Sequence, residues 1–305
     1  MILDFLREEG VSEKLIIEIE KFRKQYNVNH QAKYRIPKPK YNYYGRDIWE
    51  QAITALLCGE NILLVGSKAT GKNVLAENLS LAFGRPKWDI SFHINTDSST
   101  LIGTDTFENG NVVFRKGPVY ECAVCGGFGV LDEINMAKND SMAVLHATLD
   151  YRRIIDVPGY DKIELDDAVR FIATMNYGYA GTRELNEALA SRFMVINMPV
   201  ISSENLKKLL LTEFPNIKED YLNQFTGLFR DLRLKSDNSE ISTKSVDLRG
   251  LISAMHLIDK GLEANKALEM GIINKSFDEF ERKLVRDVIS LRIPKKLERN
   301  EIFID

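Results

Sequence analysis

Cysteine is nearly missing from these 305 residues: Cys58, Cys122 and Cys125 are the whole supply. So few, and an odd number, cannot frame a fold with disulfides, and a reducing compartment is expected. Long apolar runs are missing too. Stretches such as Ile62 to Val65 and Phe128 to Leu131 fall far short of the roughly 20 residues that a membrane-spanning helix needs, so no membrane insertion is expected. The opening residues MILDFLREEG place Asp4, Arg7, Glu8 and Glu9 where a secretory signal needs an unbroken apolar stretch, which points to the cytoplasm. Charge of one sign is not in excess. Lys and Arg number 41 against 44 Asp and Glu, a net −3, so there is no strong signal for a broad grip on nucleic acid. The four histidines (His30, His93, His146, His256) show no ligand spacing, and no internal repeat or low-complexity tract is visible.

What is present is apolar material, 44% of the chain, enough for a sizeable core and too much for a disordered chain. Residues 1–45 read as an N-terminal extension: an amphipathic helix (Leu15, Ile16, Ile19, Phe22) and a polar linker with Pro37 and Pro39. From Asp47 to Gly59 the pattern is helical, and Asn61 to Val65 is an apolar β run stopped by glycine. Further short runs at Ile90–Ile94, Phe128–Leu131, Arg170–Thr174 and Met194–Met198 alternate with helical stretches. That alternation predicts an α/β core over 46–199, a parallel sheet with helices on both faces. Two hairpin insertions are expected, turning at Asn109-Gly110 and at Pro158-Gly159. Beyond Pro199 the pattern is helical throughout, including a face made by Phe277, Phe280, Leu284 and Val288, so 200–305 reads as an all-α domain. Within it Lys235 to Ser245 is polar enough to suggest a mobile loop.

The chemistry concentrates at Gly66-Ser67-Lys68-Ala69-Thr70-Gly71-Lys72, which follows a strand and opens a helix. Glycines let backbone N–H groups converge on phosphate oxygens, the helix N-terminus adds its dipole, and Lys72 would reach the β and γ phosphates. A nucleoside triphosphate is the ligand this loop suits. Asn73 stands where the pattern has Ser or Thr to ligate Mg²⁺; its amide oxygen would substitute. Phe128 to Leu131 then delivers Asp132 and Glu133 at a strand's end. Asp132 would hold Mg²⁺, through water, and Glu133 would orient and deprotonate an attacking water.

At Leu131-Asp132-Glu133-Ile134-Asn135, and again at Leu101-Ile102-Gly103 and Gly117-Pro118, the sequence resembles the AAA+ ATPases, specifically the MoxR branch and its dynein-related relatives of the NorQ, CbbQ and GvpN type. The resemblance covers roughly residues 43–262. It implies an α/β P-loop core followed by an all-α lid. Thr174-Met175-Asn176 resembles sensor 1, with Asn176 bonding the γ phosphate or the attacking water. Gly181 to Phe193 resembles the segment that ends in the arginine finger, here Arg192, which would act on a neighbouring subunit's nucleotide. Asp247-Leu248-Arg249 resembles sensor 2, with Arg249 reaching the phosphates. The family further implies ATP and Mg²⁺, a homo-oligomer in the form of a hexameric ring, and remodelling, activation or assembly of a client protein with a von Willebrand factor A domain partner. Two other functions stay open on sequence: a nucleotide-binding scaffold with little hydrolysis, suggested by Asn73, and an AAA+ nucleic-acid motor or GTP-driven restriction subunit.

Cys122-Ala123-Val124-Cys125 has metal-ligand spacing but no second pair, and His93 and Cys58 are the only remote recruits, so it reads as buried helix. In Tyr43-Tyr44-Gly45-Arg46, Tyr44 or Gly45 would pack on an adenine, or the tyrosines serve as core or linker. Asn109-Gly110 would project into a ring pore or onto a client, or be a plain turn. Lys295-Lys296 reads as a solvated charge pair.

Overall fold

The computed structural model describes residues 2–138, 142–156, 160–176, 185–294 and 296–304. The chain divides into two compact units, Met1–Val200 and Ile201–Asp305.

The first unit is built on five strands: β1 (Ile62–Val65), β2 (Lys87–Ser91), β5 (Phe128–Asp132), β8 (Arg170–Met175) and β9 (Met194–Asn197). They lie in the order β2-β5-β8-β1-β9, every neighbouring pair parallel. Strands covered on both faces read as continuous apolar runs, and Ile62–Val65 is buried at all four positions. Alternate side chains feed two separate cores. Ile62, Leu64, Phe128, Val130 and Ile172 face one, while Leu63, Val65, Leu131, Phe171 and Ala173 face the other.

The first core is closed by the helices Arg46–Leu57 and Lys72–Ala82. It is also closed by the N-terminal residues. Ile2, Leu6, Ile16, Ile19, Phe22 and Tyr43 all join that same cluster, so residues 1–45 are an integral layer of this unit and not a separate extension. Arg23 Nε and Nη2 donate to the carbonyls of Ala82 and Leu81, each at 2.7 Å. The arginine thereby satisfies the end of the helix that the glycine loop opens. The expected hairpin is present as β3 (Gly103–Glu108) and β4 (Asn111–Lys116), with Asn109 and Gly110 both at positive φ. The second hairpin pairs β6 (Ile154–Ile155) with β7 (Ile163–Glu164); its Pro158-Gly159 turn lies outside the described residues.

The second unit is helical: Ser203–Glu213, Glu219–Asp237, Leu248–Asp259, Ala264–Gly271 and Glu279–Arg292 are its main helices. Two of them cross where only glycine fits. A Cβ on Gly250 would stand 2.0 Å from the Gly271 carbonyl oxygen. Two sequence expectations are corrected here. Phe277 and Phe280 are 83% and 71% exposed, and the helix beginning at Glu279 buries Val285, Val288 and Ile289. The Lys235–Ser245 stretch is pinned: its first residues finish a helix, and Ser245 is fully buried. The pin is Glu281, whose carboxylate accepts from the Ser242 N–H and from the hydroxyls of Ser242, Ser245 and Ser276 at 2.7–3.2 Å.

Burial alone would raise the Glu281 carboxyl, but these donors outweigh it and hold the group below its ordinary value. Glu281→Ala is therefore expected to cost about 1–3 kcal/mol in denaturant unfolding at neutral pH. A depressed native pKa stabilises fully above the unfolded value of about 4.3. The wild-type advantage should accordingly fade as pH falls from there through the lowered value.

Candidate functional site

Parallel register aligns the carboxyl ends of β1, β5 and β8, since Val65 pairs with Met175 and Leu131 with Ala173. The segments leaving those strands therefore emerge side by side. From β1 comes the loop Gly66–Gly71, and the helix Lys72–Ala82 starts directly behind it. Gly71 caps that helix at φ 83°, and a Cβ there would come within 3.1 Å of the Tyr43 ring. Both the left-handed conformation and the close ring call for glycine. Ala69 also sits at positive φ, 64°, a strain of about 1–2 kcal/mol held by its surroundings. With glycine as its cap, the helix offers its first N–H groups no side-chain acceptor, and these are the donors that suit an anion. Lys72 is 7% exposed. Its Nζ donates to the Gly66 and Ser67 carbonyls at 3.0 and 2.8 Å, which gathers the loop around one cation. The Thr70 hydroxyl donates to the Ser67 carbonyl at 3.0 Å and tightens the same turn. Lys68 lies exposed on the outside of the loop.

From β5 come Asp132 and Glu133. The Asn73 amide Nδ2 donates to Asp132 Oδ2 at 2.9 Å, and the Thr174 hydroxyl donates to Asp132 Oδ1 at 2.6 Å. The amide orientation follows from charge, because the reversed one would set two acceptors against each other. Asn73 thus keeps Oδ1 as an acceptor while its nitrogen holds the carboxylate. Glu133 adopts φ 55° and ψ 46° as β5 ends. Its N–H donates to Thr174 Oγ1 at 3.0 Å, and its exposed carboxylate accepts from Asn176 Nδ2 at 3.0 Å. Asn135 Nδ2 in turn donates to the Asn176 carbonyl at 3.0 Å. The five side chains of Asn73, Asp132, Glu133, Thr174 and Asn176 form one continuous network beside Lys72.

These groups fit a divalent cation carried by phosphates. A carboxylate and a neutral amide oxygen are hard oxygen ligands of the kind Mg²⁺ takes. Among the described residues no three His, Cys, Asp or Glu side chains gather to hold a metal, so Asp132 and Asn73 would share the ion with phosphate oxygens. Cys122 is fully buried, and burial pushes its thiol well above the ordinary range.

Arg192 bonds to groups outside this network. Arg192 Nε donates to the His146 carbonyl at 3.1 Å, Nη1 donates to the Ala188 carbonyl, and Nη2 lies 3.5 Å from Asp150 Oδ2. Of the segment leading to it, Gly181, Thr182, Arg183 and Glu184 lie outside the described residues. Arg249 belongs to the second unit, one residue into the helix Leu248–Asp259, where its N–H is capped by Asp247 at 3.1 Å. Tyr44 meets Phe5 edge-on at 5.4 Å and the Gly45 N–H donates to Glu9 at 3.2 Å, whereas buried Tyr43 lies against the phosphate loop. Burial pushes the Tyr43 hydroxyl up to about 12, so it stays neutral.

Thr174, Asn135 and Tyr43 are the residues that sequence reasoning passed over. Thr174 carried a usable signal: a hydroxyl in the middle of the buried run Arg170–Met175, 1% exposed, must have partners. Thr174→Val keeps the shape and removes both bonds, so it is expected to destabilise the protein by about 1–3 kcal/mol. Thr174→Ser, which keeps the hydroxyl, should lose less; a loss in Thr174→Ser with none in Thr174→Val, read from denaturant titrations, would show that the methyl and not the bonds matters.

Residues 61–193 match the model of the AAA domain, dynein-related subfamily. The chain is 35% identical to the uncharacterized protein YojN of Bacillus subtilis, across 78% of this chain and 79% of that one. It is 31% identical to an uncharacterized protein of Staphylococcus haemolyticus, across 83% of this chain and 98% of the other. A solved structure from Cytophaga hutchinsonii shares 17% identity over 97% of this chain and 96% of its own, at a TM-score of 0.43, too loose a superposition to bear on the site. With the matched domain spanning the phosphate loop, the Asp132-Glu133 strand end and Asn176, the chain belongs to the AAA+ ATPase family, in its dynein-related group.

Proposed function

We propose that this chain binds ATP with Mg²⁺ at residues 66–73 and Asp132 and hydrolyses it, using Glu133 as the base. The observation that carries this reading is the placement of an exposed Glu133 carboxylate, oriented by Asn176 at 3.0 Å, beside an Asp132 that is tied to the phosphate-loop helix through Asn73. Water oxygen attacks the γ phosphorus, the bond from that phosphorus to the β–γ bridging oxygen breaks, and ADP leaves with that oxygen. Glu133 takes the proton released by the water. Asn176 holds the carboxylate toward the water and offers its amide to the γ phosphate. Bound Mg²⁺ would neutralise charge on the phosphate oxygens.

Lys72 leaves its loop carbonyls for the β and γ phosphates, and the first N–H groups of its helix donate to the same oxygens. Arg192 is assigned to the nucleotide of an adjacent subunit in a homo-oligomeric, hexameric ring. It would add about 10³ to 10⁵ in rate by neutralising charge in the transition state. Arg249 is assigned to nucleotide sensing on the resemblance of Asp247-Leu248-Arg249 alone. The conformational work is directed at a client protein in the manner of the MoxR branch, with a von Willebrand factor A domain partner.

Steady-state Mg-ATP turnover per subunit, measured across protein concentrations with Glu133→Gln as the blank, tests the reading. A specific rate that rises cooperatively with concentration and is lost in the blank is expected. A rate at the blank's level at every concentration, with nucleotide still bound, would favour a nucleotide-gated scaffold. Lys72→Ala should weaken binding of a fluorescent ATP analogue by tenfold or more, on the order of the 1.4 kcal/mol or greater that a charge-assisted contact supplies.

A further inference from the structure

Arg192 is held by its own chain in an unusual way. Its Nε and Nη1 rest on two backbone carbonyls, His146 and Ala188, while Nη2 lies 3.5 Å from Asp150 Oδ2. That last distance is an ion-pair separation, too long for a tight hydrogen bond. The reason it is long is that Asp150 is already occupied. Arg152 Nε lies 3.1 Å from both carboxylate oxygens, Arg152 Nη2 lies 2.7 Å from Oδ2, and the Arg152 N–H donates to Oδ1 at 3.0 Å. Asp150 and Arg152 sit in one turn, so this chelate forms without reference to the rest of the chain.

The exposures fit a division of labour. The Asp150 side chain is 14% exposed and Arg192 20%, but Arg152 is 46% exposed. A carboxylate this sheltered is costly to leave without a cation. Were Arg192 its sole partner, moving Arg192 toward a phosphate would strand that charge. With Arg152 chelated to it, the carboxylate stays neutralised whether Arg192 is present or gone. The Arg152 hydrogen bonds hold the Asp150 carboxyl below its ordinary range, so it is ionised at neutral pH in either case.

We propose that Asp150 is the positioning residue for Arg192, aiming its guanidinium outward through a loose ion pair, and that Arg152 is the resident counter-ion that allows Arg192 to be released to a neighbouring subunit's nucleotide. The proposal rests on the reading above that Arg192 acts between subunits. Asp150 touches no nucleotide. Removing it should leave substrate affinity alone and lower turnover by misplacing the guanidinium, and a displacement of about 1 Å can cost on the order of 10²-fold.

The test uses full-length subunits carrying two different tags, coexpressed and purified through both. Asp150→Asn is expected to bind a fluorescent ATP analogue within about twofold of wild type and to lose about tenfold or more in turnover, inside that range. Asp150→Ser, which keeps an oxygen for the Arg152 N–H, gives the same comparison if the asparagine variant folds poorly. Mixed oligomers of Asp150→Asn and Glu133→Gln subunits should recover part of the turnover, because an intact Glu133 that adjoins a Glu133→Gln subunit meets an Arg192 whose own Asp150 is present. A merely structural defect would not be recovered by mixing. The control is Arg192→Ala mixed with Glu133→Gln. Recovery in the control without recovery in the Asp150 mixture overturns the proposal and leaves the intersubunit reading standing. So does wild-type turnover from Asp150→Asn alone. Failure of the control overturns both.

Discussion

The Asp132 carboxylate accepts a hydrogen bond from each of two other elements, from Asn73 at 2.9 Å on the phosphate-loop helix and from Thr174 at 2.6 Å on β8. That junction depends on register. Leu64 lies opposite Thr174 across β1 and β8, and Leu131 lies opposite Ala173 across β5 and β8. A one-residue slip would turn the Thr174 hydroxyl to the other face of the sheet and leave both Asp132 and the Glu133 N–H without it. The slip is opposed by far more than one hydrogen bond. Every side chain on the slipped strand would exchange one core for the other, at about 1–3 kcal/mol for each group forced into space already packed. The apolar clusters therefore set the strand positions, and the polar network at their ends inherits its geometry from them.

The same logic extends to the N-terminal residues. Ile16, Ile19 and Phe22 complete the core on one face of the sheet, and Tyr43 ends that segment against Gly71. Asn78, fully buried on the phosphate-loop helix, accepts from the Tyr43 N–H and donates to the Tyr41 carbonyl. Removing this layer would expose the underside of the very helix whose N-terminus is offered to phosphate.

The phosphate loop, the acidic pair and Asn176 were legible in the sequence because each follows a short apolar strand, and strand-then-turn placement is a local pattern. The parallel core and the all-helical second unit were legible for the same reason. Contacts between remote segments were not. Nothing local distinguishes Tyr43 from Tyr44; the packing of Phe5 on the latter decides which faces the loop. The Lys235–Ser245 stretch reads as polar and loose because its anchor, Glu281, lies far along the chain. Phe277 and Phe280 fit a helical period but stand at the start of a helix whose buried face is set by Val285, Val288 and Ile289. Asn73 departs from the Ser or Thr of the loop pattern, and only the fold brings its carboxamide to Asp132, where the nitrogen holds the carboxylate and the oxygen remains an acceptor.

In the proposed function Asp132, held between Asn73 and Thr174, receives a cation carried by the nucleotide. The most direct measurement is the gain in ATP affinity on adding Mg²⁺, determined by calorimetry for the wild type and for Asp132→Asn. A gain in the wild type that is largely lost in Asp132→Asn is expected, with metal-free affinity little changed. An equal gain in both proteins would contradict it.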